Sequence, residues 1–163
     1  MSSDGRWVAN VSSDLYRSLS VATAFGSNRH TFGSSVNDVS VSSDGSRVAF
    51  VEDPDGTAHA SVWSRETGQM VKIDDGLSRT NMNSGAKSVS ISADGRFVAY
   101  LYVDFIAGCP TAGTPICQFD AWRHDTVTGA RVRISADSGG SRLSGPLLKL
   151  LGERQVQPVG PLR

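Results

Sequence analysis

The chain has 163 residues, with 16 Lys and Arg against 16 Asp and Glu, so its formal net charge is zero. A neutral chain lacks the basic field that holds a phosphate backbone, and we therefore expect no nucleic-acid partner. Its apolar runs fall far short of the roughly 18 residues of a membrane-spanning helix, so no membrane span is predicted. The N-terminus also lacks the cationic and apolar stretches of a signal peptide. The length suits one domain with a sizeable core.

A short phrase occurs three times along the chain. Each copy holds an Asp-Gly pair and an Arg, followed by Val-Ala, and successive copies begin 40 and 50 residues apart. The copies cover residues 3–9, 43–50 and 93–100. A repeat of this period predicts a β-propeller or a solenoid, because each repeat is one supersecondary unit that stacks on its neighbours. Abundant Gly and Ser between apolar alternations favour an all-β fold.

The first copy predicts an incomplete unit over about residues 1–30. It opens at the Asp-Gly turn, so the innermost strand of the unit is missing. Residues 6–10 are predicted to form the second strand, 14–17 a short third strand and 20–25 the fourth. Tyr16 is the central aromatic residue of that third strand.

The second copy predicts a complete unit over residues 36–76. Its strands are expected at residues 39–42, 47–51, 60–64 and 70–73. The pair Asp44-Gly45 joins the first two strands. Asp-Gly between two such runs is the strongest short-range hairpin signal, because the tight turn requires positive φ. Four short antiparallel strands form one blade of a propeller.

The third copy repeats these pieces over residues 86–136. Its strands are expected at residues 89–92, 97–101, 119–123 and 130–134, and an insertion at 104–118 lengthens the central hairpin. Trp122 is predicted to occupy the position that Trp63 has in the second copy. Aromatic residues at one position of every unit predict that blade packs against blade.

The complete copies share the pattern Ser-x-Asp-Gly, Arg, Val-Ala-aromatic, then a strand with a central aromatic residue, then Thr-Gly and a short strand. This pattern resembles the WD40-like β-propeller repeat of the TolB type over roughly residues 3–145. The resemblance implies a propeller that serves as a binding platform, commonly in bacterial extracytoplasmic proteins, without fixed catalytic residues. It also implies a periplasmic or secreted location.

The predicted architecture is a partial propeller over residues 1–145, followed by an irregular tail at 146–163 with room for a short helix. Closed propellers have about four to eight blades, whereas the repeats amount to about three blades. Two explanations are open. The chain is a fragment of a longer propeller protein whose other blades cover its exposed edges, or two copies associate edge to edge into one ring.

Three Asp-Gly pairs are the most conspicuous candidates for a site because they recur. They are Asp4-Gly5, Asp44-Gly45 and Asp94-Gly95. An aspartate at the start of a tight turn accepts backbone N–H bonds, and the glycine supplies the positive φ. Since a repeat places each pair in a different blade, we predict that these residues are structural.

The sequence contains no complete set of metal ligands at a recognised spacing. Asp53 and Asp55 resemble the start of a calcium loop, but a full loop needs about six oxygen ligands, and a plain hairpin turn explains the segment better. His30, His59 and His124 have no mutual metal-ligand spacing. We therefore predict no cofactor, with calcium at Asp53 and Asp55 as the weak alternative.

Cys109 and Cys117 are the two cysteines of the chain, and both lie in the insertion. Their spacing across a loop suits a disulfide that pins the base of the insertion. The bond is expected if the protein is exported, whereas in a reducing cytosol the two would be free thiols. Zinc is not expected there, because two further ligands would be needed.

Motifs for catalysis are missing from the sequence. It contains no Gly-x-Ser-x-Gly elbow, no phosphate-binding Gly loop and no His-Glu metal motif. We therefore predict a non-catalytic module that binds a protein or a small ligand through its loops. The alternative is enzymatic: a hydrolase or lyase, or the accessory propeller of a peptidase, with loop carboxylates as the candidate groups.

Overall fold

The computed structural model describes residues 1–12, 17–23, 29–32, 35–54, 56–77, 84–104 and 118–136. Within these ranges the chain is all-β, with eleven strands and no helix. The described ranges contain no helix with the length and hydrophobicity that a bilayer crossing requires. Tyr16, Asp55, Cys109, Cys117 and residues 137–163 lie outside them. The predicted disulfide and C-terminal tail therefore concern residues outside the described part of the chain.

The strands pair in three antiparallel sheets, each built from consecutive strands. The first sheet contains β1 (Trp7–Val11), β2 (Leu19–Thr23) and β3 (His30–Phe32). The second sheet contains β4 (Val36–Val41), β5 (Arg47–Glu52), β6 (His59–Ser64) and β7 (Met70–Lys72). The third sheet contains β8 (Gly85–Ile91), β9 (Phe97–Asp104), β10 (Gln118–Asp125) and β11 (Arg131–Arg133). One three-stranded and two four-stranded sheets, without a closed ring among the described residues, confirm the predicted fold class.

The first sheet differs from its prediction in the strand that follows β1. The sequence placed that strand at residues 14–17, but β1 pairs with β2, the segment expected to be the fourth strand. Next to this pairing, the Ser12 N–H donates to the Ser18 carbonyl oxygen at 2.9 Å and the Ser18 N–H donates to the Ser12 hydroxyl at 2.8 Å. Leu19 and Val21 have no exposed surface, and their alternation gives β2 the apolar face that the core requires.

The central strands of the second sheet, β5 and β6, are buried on both faces. Side chains alternate between the faces of a strand, so in β5 Val48 and Phe50 point to the first sheet while Ala49 and Val51 point to the third. All four residues are at most 1% exposed. The continuous apolar run of β5 is therefore explained by a neighbour on each side.

The core consists of two layers, one on each side of the second sheet. The layer between the first and second sheets contains Leu19, Val21, Val36, Val48, Phe50 and Trp63. The layer between the second and third sheets contains Ala49, Val51, Ala58, Ala60, Val62, Ile73, Ala86, Val89, Val98, Tyr100 and Tyr102. Full burial of one Val, Leu or Phe side chain contributes about 1.5–3 kcal/mol. Burial of these two layers is what holds the three sheets together.

The two tryptophans predicted at one position occupy different positions. Trp63 lies opposite Val48 in its sheet, and the residue opposite the equivalent Val98 is His124. Trp122 comes two residues before His124, so the predicted alignment of Trp122 with Trp63 was wrong by two residues. An offset of two keeps a side chain on the same face of a strand. Both tryptophans therefore still pack between sheets.

Candidate functional site

The three Asp-Gly turns share one pattern of hydrogen bonds. Each carboxylate accepts from the backbone N–H two residues later, at 2.9–3.0 Å, and from the serine hydroxyl two residues earlier, at 2.6–2.9 Å. These bonds favour the charged carboxylate and lower the pKa of Asp4, Asp44 and Asp94. The serine hydroxyl is the largest cause of the lowered pKa at Asp4 and Asp94, and the Ser46 N–H is the largest cause at Asp44. Each carboxylate is thus engaged within its own turn, and a structural role remains our prediction.

The glycines of these turns have a left-handed backbone. The angle φ is 68° at Gly5, 65° at Gly45 and 72° at Gly95. Gly45 has a second constraint, because a Cβ atom there would overlap the ring of Trp7, whereas no described atom lies within 4 Å of a Cβ atom at Gly5. The Arg65 guanidinium covers the same Trp7 ring, 4.4 Å from its centroid. The second turn therefore also joins the first sheet to the second.

A groove lies between the second and third sheets, beside β7 and β11. One part has a volume of about 320 Å³ and is lined by the apolar side chains Val62, Val71 and Ile73. An adjoining part of about 370 Å³ shares Val71 and Ile73. Concave sites of about 300–1,000 Å³ with apolar walls are typical of small-ligand binding. The groove is therefore the candidate binding site of the described residues.

The charged residues that line the groove are mostly cationic. Arg47, Lys72 and Arg131 border it together with Asp75. His124 lines both parts, and burial followed by the charge of Arg131 lowers the pKa of its imidazole below the usual 6.5. The imidazole is therefore neutral at pH 7 and offers both a donor and an acceptor. Apolar walls with a cationic border suit a ligand that has an apolar body and an acidic group.

A histidine and two aspartates meet at one end of the second sheet. His59 is the first residue of β6, and Asp74 and Asp75 follow β7 as the chain leaves for the third sheet. His59 Nδ1 lies 3.3 Å from Asp74 Oδ1. The Asp74 side chain has no exposed surface, the His59 side chain is 13% exposed, and Asp75 is exposed. One ligand atom from each residue lies within 4.8 Å of the other two.

The sequence analysis missed this cluster because its members are not close in the chain. His59 and Asp74 are brought together by the pairing of β6 with β7. The usable signal was an Asp-Asp pair directly after a short apolar strand, in a hairpin whose other strand begins with histidine. The cluster offers one imidazole and two carboxylates, the only such group of three among the described residues.

The other candidate ligands lie apart from this cluster. The ring of His30 in β3 is 5.1 Å from that of Trp63, and His124 lines the groove. Asp53 Oδ1 is buried, with no hydrogen-bond partner in the described part of the chain. Because Asp55 lies outside the described residues, calcium at Asp53 and Asp55 stays a prediction.

The third sheet carries different residues at the positions of the cluster. In the order of His59, Asp74 and Asp75, the matching residues are Asp120, Ser135 and Ala136. The Ser135 hydroxyl donates to Asp120 Oδ1 at 3.0 Å, and Arg133 Nε lies 3.8 Å from the same oxygen. In both sheets, a hydrogen bond therefore joins the third strand to the residue that follows the fourth strand by two positions. The second sheet adds the carboxylate of Asp75, whereas the third sheet has Ala136 at that position.

An ion pair joins the start of β9 to the hairpin after β10. The Arg96 guanidinium donates through Nε and Nη2 to Asp125 Oδ2, at 3.2 and 3.0 Å. Asp125 also accepts from the N–H groups of Val127 and Thr128. The bonds from Arg96 are the largest cause that lowers the pKa of Asp125 to about 2. Both partners bind groups of their own sheet, so we assign the pair to the fold.

No protein-family model and no curated protein matches the chain. Solved structures do match it. TolB from Acinetobacter baumannii is 18% identical over 86% of this chain and 32% of its own, with a TM-score of 0.51. The β-propeller domain of the Trilobed protease from Pyrococcus furiosus is 19% identical over 78% of this chain and 38% of its own, with a TM-score of 0.52. Hydrazine synthase from Kuenenia stuttgartiensis is 17% identical over 83% of this chain and 41% of its own, with a TM-score of 0.54.

The three sheets are therefore blades of a β-propeller. The propeller fold is of the TolB type, as the repeat pattern predicted. The chain spans about a third of the matched Acinetobacter TolB and less than half of the other two chains. At these identities the likeness concerns the fold, and the activities of the matched proteins are theirs.

Proposed function

We propose that the chain is a non-catalytic binding module that forms part of a longer propeller protein. The observation that carries the proposal is the outward face of the third sheet. Most of this face is apolar, yet no described strand covers it. The groove between the second and third sheets is the proposed site for a protein or a small ligand.

The outward face of the third sheet matches a face that is buried in the second sheet. The second sheet presents Ala49, Val51, Ala60 and Ile73 to the third, all at most 3% exposed. The matching residues of the third sheet are Ala99, Leu101, Ala121 and Ile134. Ala99 is exposed, Leu101 and Ala121 are half-buried, and Ile134 is 52% exposed. An apolar sheet face is stable when a second layer covers it, which supports a further blade packed on this side.

The flanking DNA tests the longer propeller. We expect further in-frame copies of the Asp-Gly repeat next to the coding region. A reading frame bounded by stop codons on both sides, with no further copy, would contradict this part of the proposal.

Light scattering on the purified chain tests the open face. Binding of a hydrophobic dye, with self-association that has no fixed stoichiometry, is expected because the face is apolar and exposed. A stable complex of two copies would favour the paired ring over the longer propeller. A folded monomer that binds no dye would show that the face is already covered.

Variants of β7 test the groove as the binding site. We expect an acidic ligand with an apolar body, found by a thermal-shift screen, to lose binding in Val71→Asp and to bind more weakly to Lys72→Gln. Met70→Asp is the matched control, because Met70 is on the same strand and 45% exposed but does not line the groove. Equal binding by Val71→Asp and Met70→Asp would exclude the groove.

A second candidate is the accessory propeller of a hydrolase, peptidase or lyase. The likeness to the propeller domain of the Trilobed protease favours it. This candidate predicts a catalytic domain in the same reading frame. A catalytic domain in that frame would favour this candidate, and turnover of peptides or glycans by the chain alone would contradict a non-catalytic module.

A further inference from the structure

We propose that His59, Asp74 and Asp75 bind one divalent transition-metal ion of the Zn²⁺ class. The donor set is one imidazole nitrogen and two carboxylate oxygens. Imidazole suits Zn²⁺ and its neighbours in the first transition row. Three protein ligands leave the fourth position of a tetrahedral ion to water, so we expect an open site.

The spacing of the ligand atoms fits such an ion. Two ligands at about 2.0–2.1 Å from a tetrahedral zinc lie roughly 3.3–3.4 Å apart, and His59 Nδ1 and Asp74 Oδ1 are 3.3 Å apart. The ligand atom of Asp75 lies within 4.8 Å of both. Because Asp75 is exposed, rotation of its side chain can close the remaining distance. Asp74 is buried, His59 is half-buried and Asp75 is exposed, which leaves a path for the ion from solvent.

Arg131 fixes the backbone that carries both aspartates. Its Nη1 donates to the carbonyl oxygens of Ile73 and Asp75, at 3.3 and 2.8 Å. These bonds go to backbone carbonyl oxygens and not to the carboxylate oxygens of the proposed ligand set. Groups that orient the ligands in this way typically raise the affinity of a metal site.

In the third sheet, a hydrogen bond between two residues joins the same two places of the sheet without a third polar side chain. Asp120 and Ser135 form this hydrogen bond, and Ala136 occupies the position that matches Asp75. The carboxylate of Asp75 is therefore not required for such a hydrogen bond. It is the residue that turns a hydrogen-bonded pair into a three-ligand set.

Titration of the chelator-treated full chain with Co²⁺ and Zn²⁺ tests the proposal. We expect one Co²⁺ per chain by visible absorption and one Zn²⁺ per chain by calorimetry, with each ion displacing the other. Asp75→Asn and His59→Gln should each weaken the binding of Co²⁺ on the order of tenfold or more. Asp75→Asn is the decisive variant, because an exposed residue can be changed without disturbing the core.

Control variants separate this site from other metal-binding groups. His30→Gln removes a histidine of β3 that lies outside both the cluster and the groove, and the double variant Cys109→Ser, Cys117→Ser removes both thiols. Both controls should bind Co²⁺ like the unchanged chain. Binding that is lost in the cysteine variant, binding that is unchanged in Asp75→Asn, or no binding at millimolar metal would each overturn the proposal.

Discussion

The second and third sheets have the same strand plan but different surroundings. The phrase Val-Ala-aromatic buries its first and third side chains against the preceding sheet in both, with Phe50 at 0% and Tyr100 at 3% exposure. The middle alanine differs, because Ala49 is buried by the third sheet while Ala99 is exposed. The repeat thus encodes a blade suited to a neighbour on each side. Whether both faces of a blade are buried depends on whether a neighbouring blade packs on each side, and not on the blade's own sequence.

The third sheet also differs from the second because charged side chains lie on its outward face. Arg123 takes the position of the buried Val62. The guanidinium groups of Arg123 and Arg96 each lie 4.9 Å from the ring centroid of Phe97. Charged side chains on an unpaired surface are one way in which proteins limit aggregation. They cover one aromatic ring, while Ile134 on the same face is 52% exposed.

Replacement of Phe50 by Ala should have the largest effect on stability. Its ring has no exposed surface and lies between the first and second sheets, so we expect a loss of about 3–5 kcal/mol. Asn10 holds the matching position in the first sheet and is exposed, so Asn10→Ala should cost less than about 0.5 kcal/mol. Denaturant unfolding measures both. Similar losses in the two variants would contradict the assignment of the first core layer.

Replacement of Gly45 by Ala should cost more than the same change at Gly5. Both glycines have positive φ, which costs about 1–2 kcal/mol for another residue. The overlap with Trp7 at Gly45 should add about 1–3 kcal/mol. In a Trp7→Ala background the difference between the two glycine variants should shrink. A difference that persists in this background would show that the Trp7 contact is not its cause.

Replacement of Val51 by Ala should cost about 2 kcal/mol, because the side chain is fully removed from water. Leu101 is the matching residue of the third sheet and is half-buried, so Leu101→Ala should cost less than about 1 kcal/mol in this chain. In a longer protein with a further blade, the cost at Leu101 should exceed that at Val51. An unchanged cost there would mean that no blade packs on this face.

The strands around the Asp-Gly turns could be predicted because their signals are local. In β5 and β9 an apolar alternation follows directly after an Asp-Gly pair, and each signal needs only a few neighbouring residues. The partner of β1 could not be predicted this way, because the hydrogen bonds between Ser12 and Ser18 beside this pairing have no sequence signature. The offset between Trp63 and Trp122 was missed for a related reason, since alternation identifies a face but not a register.

Neither the groove nor the cluster of His59, Asp74 and Asp75 could be predicted from the sequence pattern. The groove forms between two sheets, so its walls come from strands separated by some fifty residues. The cluster of His59, Asp74 and Asp75 depends on the pairing of β6 with β7 and on the exit of the chain after β7. The sequence shows only that each of these residues lies near the end of a predicted strand, and the ends of elements are the least reliable part of a sequence-based prediction.

The smallest expected effect concerns the ion pair of Arg96 with Asp125, which distinguishes the third sheet from the second. The matching residues of the second sheet are Ser46 and Ser64, which cannot form an ion pair. The pKa of Asp125 falls from 3.8 to about 2 in the folded chain. A lowered carboxyl pKa adds stability that is complete above the unfolded pKa and is lost as the pH falls through the folded pKa. The contribution should therefore be full above about pH 4 and disappear toward pH 2.

Unfolding in urea at a series of pH values between these limits measures the contribution. Arg96→Gln should destabilise the chain slightly above pH 4 and flatten the fall in stability below it. Arg123→Gln is the matched control, because Arg123 contacts the same Phe97 ring and its removal should leave the pH dependence unchanged. Asp4, Asp44 and Asp94 also have lowered pKa values. These carboxylates also make stability depend on pH, so the slope of unfolding free energy against pH in one variant does not isolate the ion pair. The difference in this slope between Arg96→Gln and Arg123→Gln does isolate it. If the two variants had the same slope, the turn N–H groups of Val127 and Thr128, and not Arg96, would hold the charge of Asp125.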